Sequence, residues 1–195
     1  DNAVSFGAGF DNTVSTISRD SSGRLTVGGS FTSYQDKSGP GLDYLTRLDD
    51  SSGAFSGDFN ISTGADGAVN GIVIDSSGRT LLGGAFATVN GLAQNRIARL
   101  AIDGAVDATF SPGSGTDGEI KSITIDNNSN AFLTQNVGKL VIGGAFNNYN
   151  GTARGRIARL NADGKLDTGF DIGTGADNTV NHVAVDSEGR VYVAG

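Results

Sequence analysis

Apolar and polar positions alternate with period two in four short segments: VSTISRD (14–20), VNGIVID (69–75), IKSITID (120–126) and VNHVAVD (180–186). Alternation of this kind, ending in an aspartate, predicts a half-buried strand running into a turn. The turn is SSGR at 21–24 and 76–79 and SEGR at 187–190, with glycine third, where a positive φ is needed. A second apolar stretch follows as LTVGGSF (25–31), TLLGGAF (80–86), LVIGGAF (140–146) and VYVAG (191–195), so each pair reads as a β-hairpin. In the third copy the turn grows to NNSNAFLTQNVGK (127–139), an insertion that a surface loop accommodates at small entropic cost.

Each hairpin leads through a variable loop into a third strand, YLTRLDD (44–50), RIARLAI (96–102) or RIARLNA (156–162). A tight turn at Gly53, Gly104 or Gly164 then predicts a fourth strand ending on Phe59, Phe110 or Phe170. The whole pattern is a repeat. Its starting aspartates, Asp11, Asp66, Asp117 and Asp177, lie 51 to 60 residues apart. The chain divides accordingly into a tail of a preceding repeat (1–10), repeat one (11–65), repeat two (66–116), repeat three with its insertion (117–176) and the opening of repeat four (177–195). A lone four-stranded meander has two apolar faces and cannot bury both, so copies must stack. The fold class expected is all-β: a β-propeller of four-stranded antiparallel blades in a partial ring of about three and a half repeats. The paired glycines of the second strand are expected where sheets crowd together or bulge.

Composition agrees with a turn-rich chain, with 31 glycines, 2 prolines, and 21 carboxylates of which only Glu119 and Glu188 are glutamates. The formal charge of −7 repels phosphate backbones and anionic lipid surfaces, which argues against nucleic acid, and no apolar run approaches the roughly 20 residues that a membrane-spanning helix needs. No cysteine is present, so there is no thiolate ligand or nucleophile. The opening at Asp1 without a methionine reads as a processed product or an excerpt.

The string GGAFNNYNGTARGRIARLNADGKLDTGFDIGTGADNTVNHVAVDSEGRVYVAG (143–195) closely resembles the delta-60 repeat. That is a β-propeller repeat of large bacterial secreted or surface proteins and of some phage structural proteins. The resemblance runs from about Val4 to Gly195 and implies an extracellular, cell-surface or virion setting. It implies no catalytic residues. Copy one departs from it, with a longer loop around Pro40 and no NGTARGR, which marks its loop as specialised.

Arg47, Arg99 and Arg159 recur at one place in the third strand, beside Leu45, Ile97 or Ile157 on the same face. They are expected between blades, where a guanidinium needs carboxylate or carbonyl partners. The first-turn residues Asp20, Asp75, Asp126 and Asp186 are the candidate structural partners, with the junction aspartates Asp11, Asp66, Asp117 and Asp177 as the alternative. His182 is the single histidine, at a place where other copies carry Thr16, Gly71 or Ser122, and it cannot build a zinc site by itself. No catalytic residue, no metal site and no cofactor are expected; weak calcium binding is left to Asp66-Gly67, Asp117-Gly118 and 173–178, which lack the EF-hand pattern.

The functional expectation is a non-enzymatic structural or binding module of an extracellular or virion assembly. Its partners would be other copies or subunits of that assembly, or protein or glycan on a cell surface. The residues expected to meet a partner are on variable loops: Tyr34, Asp36, Lys37, Asn90, Gln94, Phe132, Gln135, Asn148, Tyr149 and Arg154. Two alternatives remain: a propeller glycan hydrolase or lyase working through Glu119 or His182, and an open stack of repeats forming a filament.

Overall fold

Residues 9–35, 37–38, 42–126 and 136–195 are described by a computed structural model. Asp36, Phe132, Gln135 and most of the 127–139 insertion lie outside the described residues.

In the first repeat β1 (Val14–Arg19) and β2 (Arg24–Gly29) form the expected hairpin. The variable loop then folds into a small hairpin of its own, β3 (Ser33–Tyr34) with β4 (Lys37–Ser38), before β5 (Leu45–Asp49) pairs with β2. The second repeat copies this with β6 (Val69–Ile74), β7 (Thr80–Gly84), the small hairpin β8 (Thr88–Val89) and β9 (Leu92–Ala93), and β10 (Ile97–Leu100). The third has β11 (Ile120–Ile125), β12 (Leu140–Gly144), β13 (Asn148–Tyr149), β14 (Thr152–Ala153) and β15 (Ile157–Leu160). The opening of the fourth supplies β16 (His182–Val185) and β17 (Val191–Ala194).

Each complete repeat is thus a three-stranded antiparallel sheet, where four strands were expected. The fourth strand shrinks to one bridge per repeat: Leu48 with Phe55, Leu100 with Val106, and Leu160 with Leu166. The chain then turns at once, with the Phe59, Phe110 and Phe170 amides donating to the carbonyls of Ser56, Asp107 and Asp167. That turn carries each phenylalanine out of the sheet and over an arginine, at 3.9 Å for Arg47 on Phe59, 5.0 Å for Arg99 on Phe110 and 4.6 Å for Arg159 on Phe170.

Neighbouring sheets lie closest along their first strands, β1 to β6, β6 to β11 and β11 to β16. Cores therefore form between sheets. One joins Leu45, Phe59 and Ile61 of repeat one to Leu82, Ala98 and Leu100 of repeat two, and the next joins Ile97 and Phe110 to Ile142, Ala158 and Leu160. The GG pair sits at both crowded points. A Cβ on Gly83 would meet Ile120 of the next sheet, and one on Gly143 would meet Val180 and Val183. The second glycine of each pair lies against the backbone of its own first strand, beside the register shifts at Val14/Thr16, Val69/Gly71 and Ile120/Ser122.

Candidate functional site

The small hairpins β3–β4, β8–β9 and β13–β14 are the most regular exposed feature. Their turns need left-handed backbone at Gln35, at Asn90 and Gly91, and at Asn150 and Gly151. The consecutive Asn-Gly pairs supply the turn that matches strand twist. Each hairpin is clamped from behind by a junction aspartate. Asp66 accepts from the Ala87 and Thr88 amides at 2.7 and 2.8 Å, and Asp117 from the Asn147 and Asn148 amides, both at 2.8 Å. Asp11 does the same with Thr32 and Ser33. For Asp66 and Asp117, burial pushes the carboxyl pKa up, but these hydrogen bonds outweigh it and hold the group below the usual carboxylate range.

Tyr34 and Tyr149, expected to face a partner, are buried instead. Their hydroxyls donate to the Gly53 and Gly164 carbonyls at 3.0 and 2.5 Å, tying the hairpin base to the turn after the third strand. Repeat two has Val89 at that place, and the neighbouring Asn90 amide makes the equivalent bond to the Gly104 carbonyl at 3.1 Å. Gln94 and Asn148 are half-buried at the hairpin base, where Asn148 also donates its side-chain amide to Asp117 at 2.7 Å. Half-buried Arg154 donates to the Ala153 carbonyl at 2.9 Å. Of the expected loop residues, Lys37 alone is fully exposed among those described. Ser38, Leu92, Ala93, Thr152 and Ala153, not singled out from the sequence, occupy the outer strands of the hairpins and face solvent.

The third-strand arginines do lie between sheets, but the first-turn aspartates are not their partners. Arg99 donates Nε to Asp107 at 2.8 Å, Nη2 to Thr109 at 2.9 Å and Nη1 to the Ala162 carbonyl of the next repeat at 2.5 Å. Arg159 pairs with Asp167 at 2.7 Å. Asp20, Asp75 and Asp186 instead cap their own turns and hold Arg24, Arg79 and Arg190, each at 2.7 Å, because the turn folds that arginine back over the carboxylate four residues earlier. The Asp126 carbonyl accepts from the Gly138 amide at 2.7 Å. Asp107 and Asp167 were missed in the sequence. The recurring eight-residue spacing from arginine to aspartate was the available signal, and copy one hides it because its turn is one residue longer and Ser56 takes the aspartate's place.

Burial pushes the Asp107 and Asp167 carboxyls up, yet the hydrogen bonds from Thr109 and Arg99, and from Lys139 and Arg159, leave both below the ordinary range. A depressed carboxyl contributes stability that is fully present above the unfolded value of about 3.9 and fades as pH falls through the lower folded value. Thermal midpoints should therefore be flat from neutral pH to about pH 5 and fall below about pH 4. The pair Asp107→Asn and Asp167→Asn should flatten that acid limb; an unchanged limb would assign acid sensitivity to other groups.

Glu119 is bound by Lys121 at 2.7 Å and by the Asn70 amide at 2.8 Å. Burial raises its pKa, and those two partners outweigh burial and lower it overall. His182 is exposed, with Nδ1 at 3.5 Å from the Ser122 hydroxyl, which itself accepts the Val183 amide at 3.2 Å. Among the described residues no group of three or more His, Cys, Asp or Glu could hold a metal ion.

Residues 76–110 and 137–170 match the family model of a beta-propeller domain of unknown function, DUF5122. Each match runs from the first-hairpin turn region to the phenylalanine that stacks on the third-strand arginine. The fold is an open arc of a β-propeller. Two solved structures from B. thetaiotaomicron share the propeller's path at a TM-score of 0.53: the extracellular domain of a protein assigned as a one component system, 16% identical, and that of one assigned as a hybrid two component system, 18% identical. They cover 96% and 93% of this chain, which spans about a fifth of their length, 21% and 20%. At these identities the likeness carries the fold alone. No curated protein matches the propeller chain.

Proposed function

We propose that this propeller arc is a non-catalytic binding module outside the cell, of the delta-60 type, which presents its three small hairpins to a protein or glycan partner. The observation that carries the reading is the contrast within each hairpin. The base is clamped by a junction aspartate and by a buried Tyr34 or Tyr149 bond or the half-buried Asn90 bond, while the outer strand is exposed and changes from Lys-Ser to Leu-Ala to Thr-Ala between blades. A fixed frame with variable exposed tips suits recognition. Extracellular placement is supported by the two B. thetaiotaomicron neighbours, both extracellular domains. Virion assembly has no such support.

The enzymatic alternative through Glu119 as a general acid would need a raised carboxyl pKa, whereas Lys121 and Asn70 outweigh burial and lower it.

The test is binding to a panel of immobilised polysaccharides and cell-surface proteins. Changing Lys37→Glu, Leu92→Asp and Thr152→Asp together should weaken any hit by about tenfold or more, the scale of losing a contact cluster, and leave the thermal midpoint unchanged. Binding that survives the triple change but is lost on Glu119→Gln would overturn the proposal.

A further inference from the structure

Three asparagines of this chain are followed by glycine: Asn70, Asn90 and Asn150. Glycine has no side chain to shield its nitrogen, so that nitrogen can attack the carboxamide carbon of the asparagine before it. The fold places the three pairs in different settings.

At Asn70 and Asn90 the carboxamide nitrogen, which would have to leave, is held. Asn70 Nδ2 donates to Glu119 Oε1 and to the Ile120 carbonyl, both at 2.8 Å, and Gly71 is buried in β6. Asn90 Nδ2 donates to the Gly104 carbonyl at 3.1 Å, and its Oδ1 is buried with no donor. Asn150 is exposed and arranged the other way round. Its Oδ1 accepts the Ser114 amide at 3.1 Å and the Ser114 hydroxyl at 3.2 Å, while no described residue accepts from its Nδ2.

The backbone does not separate Asn90 from Asn150. Both stand in the same left-handed turn, at φ 52° and 46°, and in both the next glycine is exposed with nothing within 4 Å of where a Cβ would stand. The surrounding residues make the difference. The Tyr149 hydroxyl already ties its hairpin to Gly164, whereas Val89 leaves that tie to the Asn90 side chain. Gly113 makes room for the freed carboxamide: a Cβ there would collide with the Asn150 side chain, and the corresponding residue of the preceding repeat is Ser62.

We propose that Asn150 is a site of spontaneous self-modification, at which the Gly151 nitrogen closes on Asn150 Cγ and Ser114 stabilises the charge that develops on Oδ1. The nitrogen–Cγ bond forms as the Gly151 proton passes to a solvent base. The Cγ–Nδ2 bond then breaks, and Nδ2 takes up a proton and leaves as ammonia. Water opens the resulting five-membered imide at either carbonyl, leaving an aspartate or its β-linked isomer. Two donors aimed at the oxygen that becomes negative are the arrangement that stabilises acyl-transfer intermediates. The product adds a negative charge to the exposed tip of the third hairpin.

The full chain is incubated folded in mildly alkaline buffer and digested, and the peptides carrying Asn70, Asn90 and Asn150 are followed by mass spectrometry for conversion of amide to acid. Asn150 should convert at least about tenfold faster than the other two. In urea the three rates should draw together, because unfolding removes the contacts that separate them. Ser114→Ala, which removes the hydroxyl donor at an exposed position, should slow Asn150 at least about threefold and leave Asn90 and the thermal midpoint unchanged. Equal rates in the folded chain, the same ranking in urea, or an unslowed Ser114→Ala variant would each overturn the proposal.

Discussion

Gly144→Ala should unfold the chain at ambient temperature or lower its stability by about 4 kcal/mol or more, the range reserved for severe backbone and packing conflicts. The added methyl would be driven into the Glu119 carbonyl oxygen and would lie 2.9 Å from Ile120 Cα. Both are backbone, so no side chain can swing away. The carbonyl is also committed, accepting the Ala145 amide at 2.8 Å, and moving it would break the bulge that seats β11 against β12. Gly84 stands in the same relation to the Ala68 carbonyl and should behave alike. A matched control is Gly91→Ala, at φ 73° with nothing within 4 Å, where the left-handed backbone alone should cost about 1 kcal/mol. Chemical denaturation of the two variants measures the difference; equal losses would show that close approach is not what the paired glycines serve.

The second large effect is expected at Asp107. Asp107→Ala removes the carboxylate from Arg99, which is 4% exposed, and should cost about 3–5 kcal/mol, as breaking a buried pair from one side generally does. Blade one shows what a tolerated version requires. Arg47, 2% exposed, has no carboxylate bonded to it among the described residues, because Ser56 holds the place of Asp107 and Asp58 pairs with Arg24 instead. Its charge is met by the Thr26 and Thr80 hydroxyls at 3.1 and 3.0 Å, the Ile102 carbonyl at 2.9 Å and the Phe59 ring. Burial, followed by repulsion from Arg24, lowers the Arg47 pKa. Blade two lacks part of that set, since Leu140 replaces the threonine that Arg47 reaches in the next blade. Asp107→Ala combined with Arg99→Leu should therefore recover much of the loss, because it removes the stranded charge as well. Urea unfolding of both variants reads the coupling; no recovery in the double variant would place the cost in the turn that Asp107 builds with Thr109.

The same contrast explains which parts of the candidate site were legible beforehand. The junction and turn aspartates stood out by their recurrence, but they were matched to the third-strand arginines, whereas their partners are nearby amides and turn arginines. The outer hairpin strands were hidden because Leu92-Ala93 and Thr152-Ala153 carry no distinctive chemistry. Tyr34 and Tyr149 misled because a tyrosine inside a variable loop reads as an exposed aromatic, whereas the hairpin folds its inner strand against the core.

The repeat, the hairpins, the turns and the crowding at the paired glycines are legible in the amino-acid order alone. Those features are encoded within a few residues, by a two-residue period, by glycine at left-handed positions and by Asp next to amides. Packing between sheets settles the rest: the fourth strand reduces to a bridge, and Arg99 and Arg159 take Asp107 and Asp167. When both faces of a strand are buried, alternation no longer tells inward from outward. The partner of a long side chain is then chosen by which neighbouring sheet reaches it first.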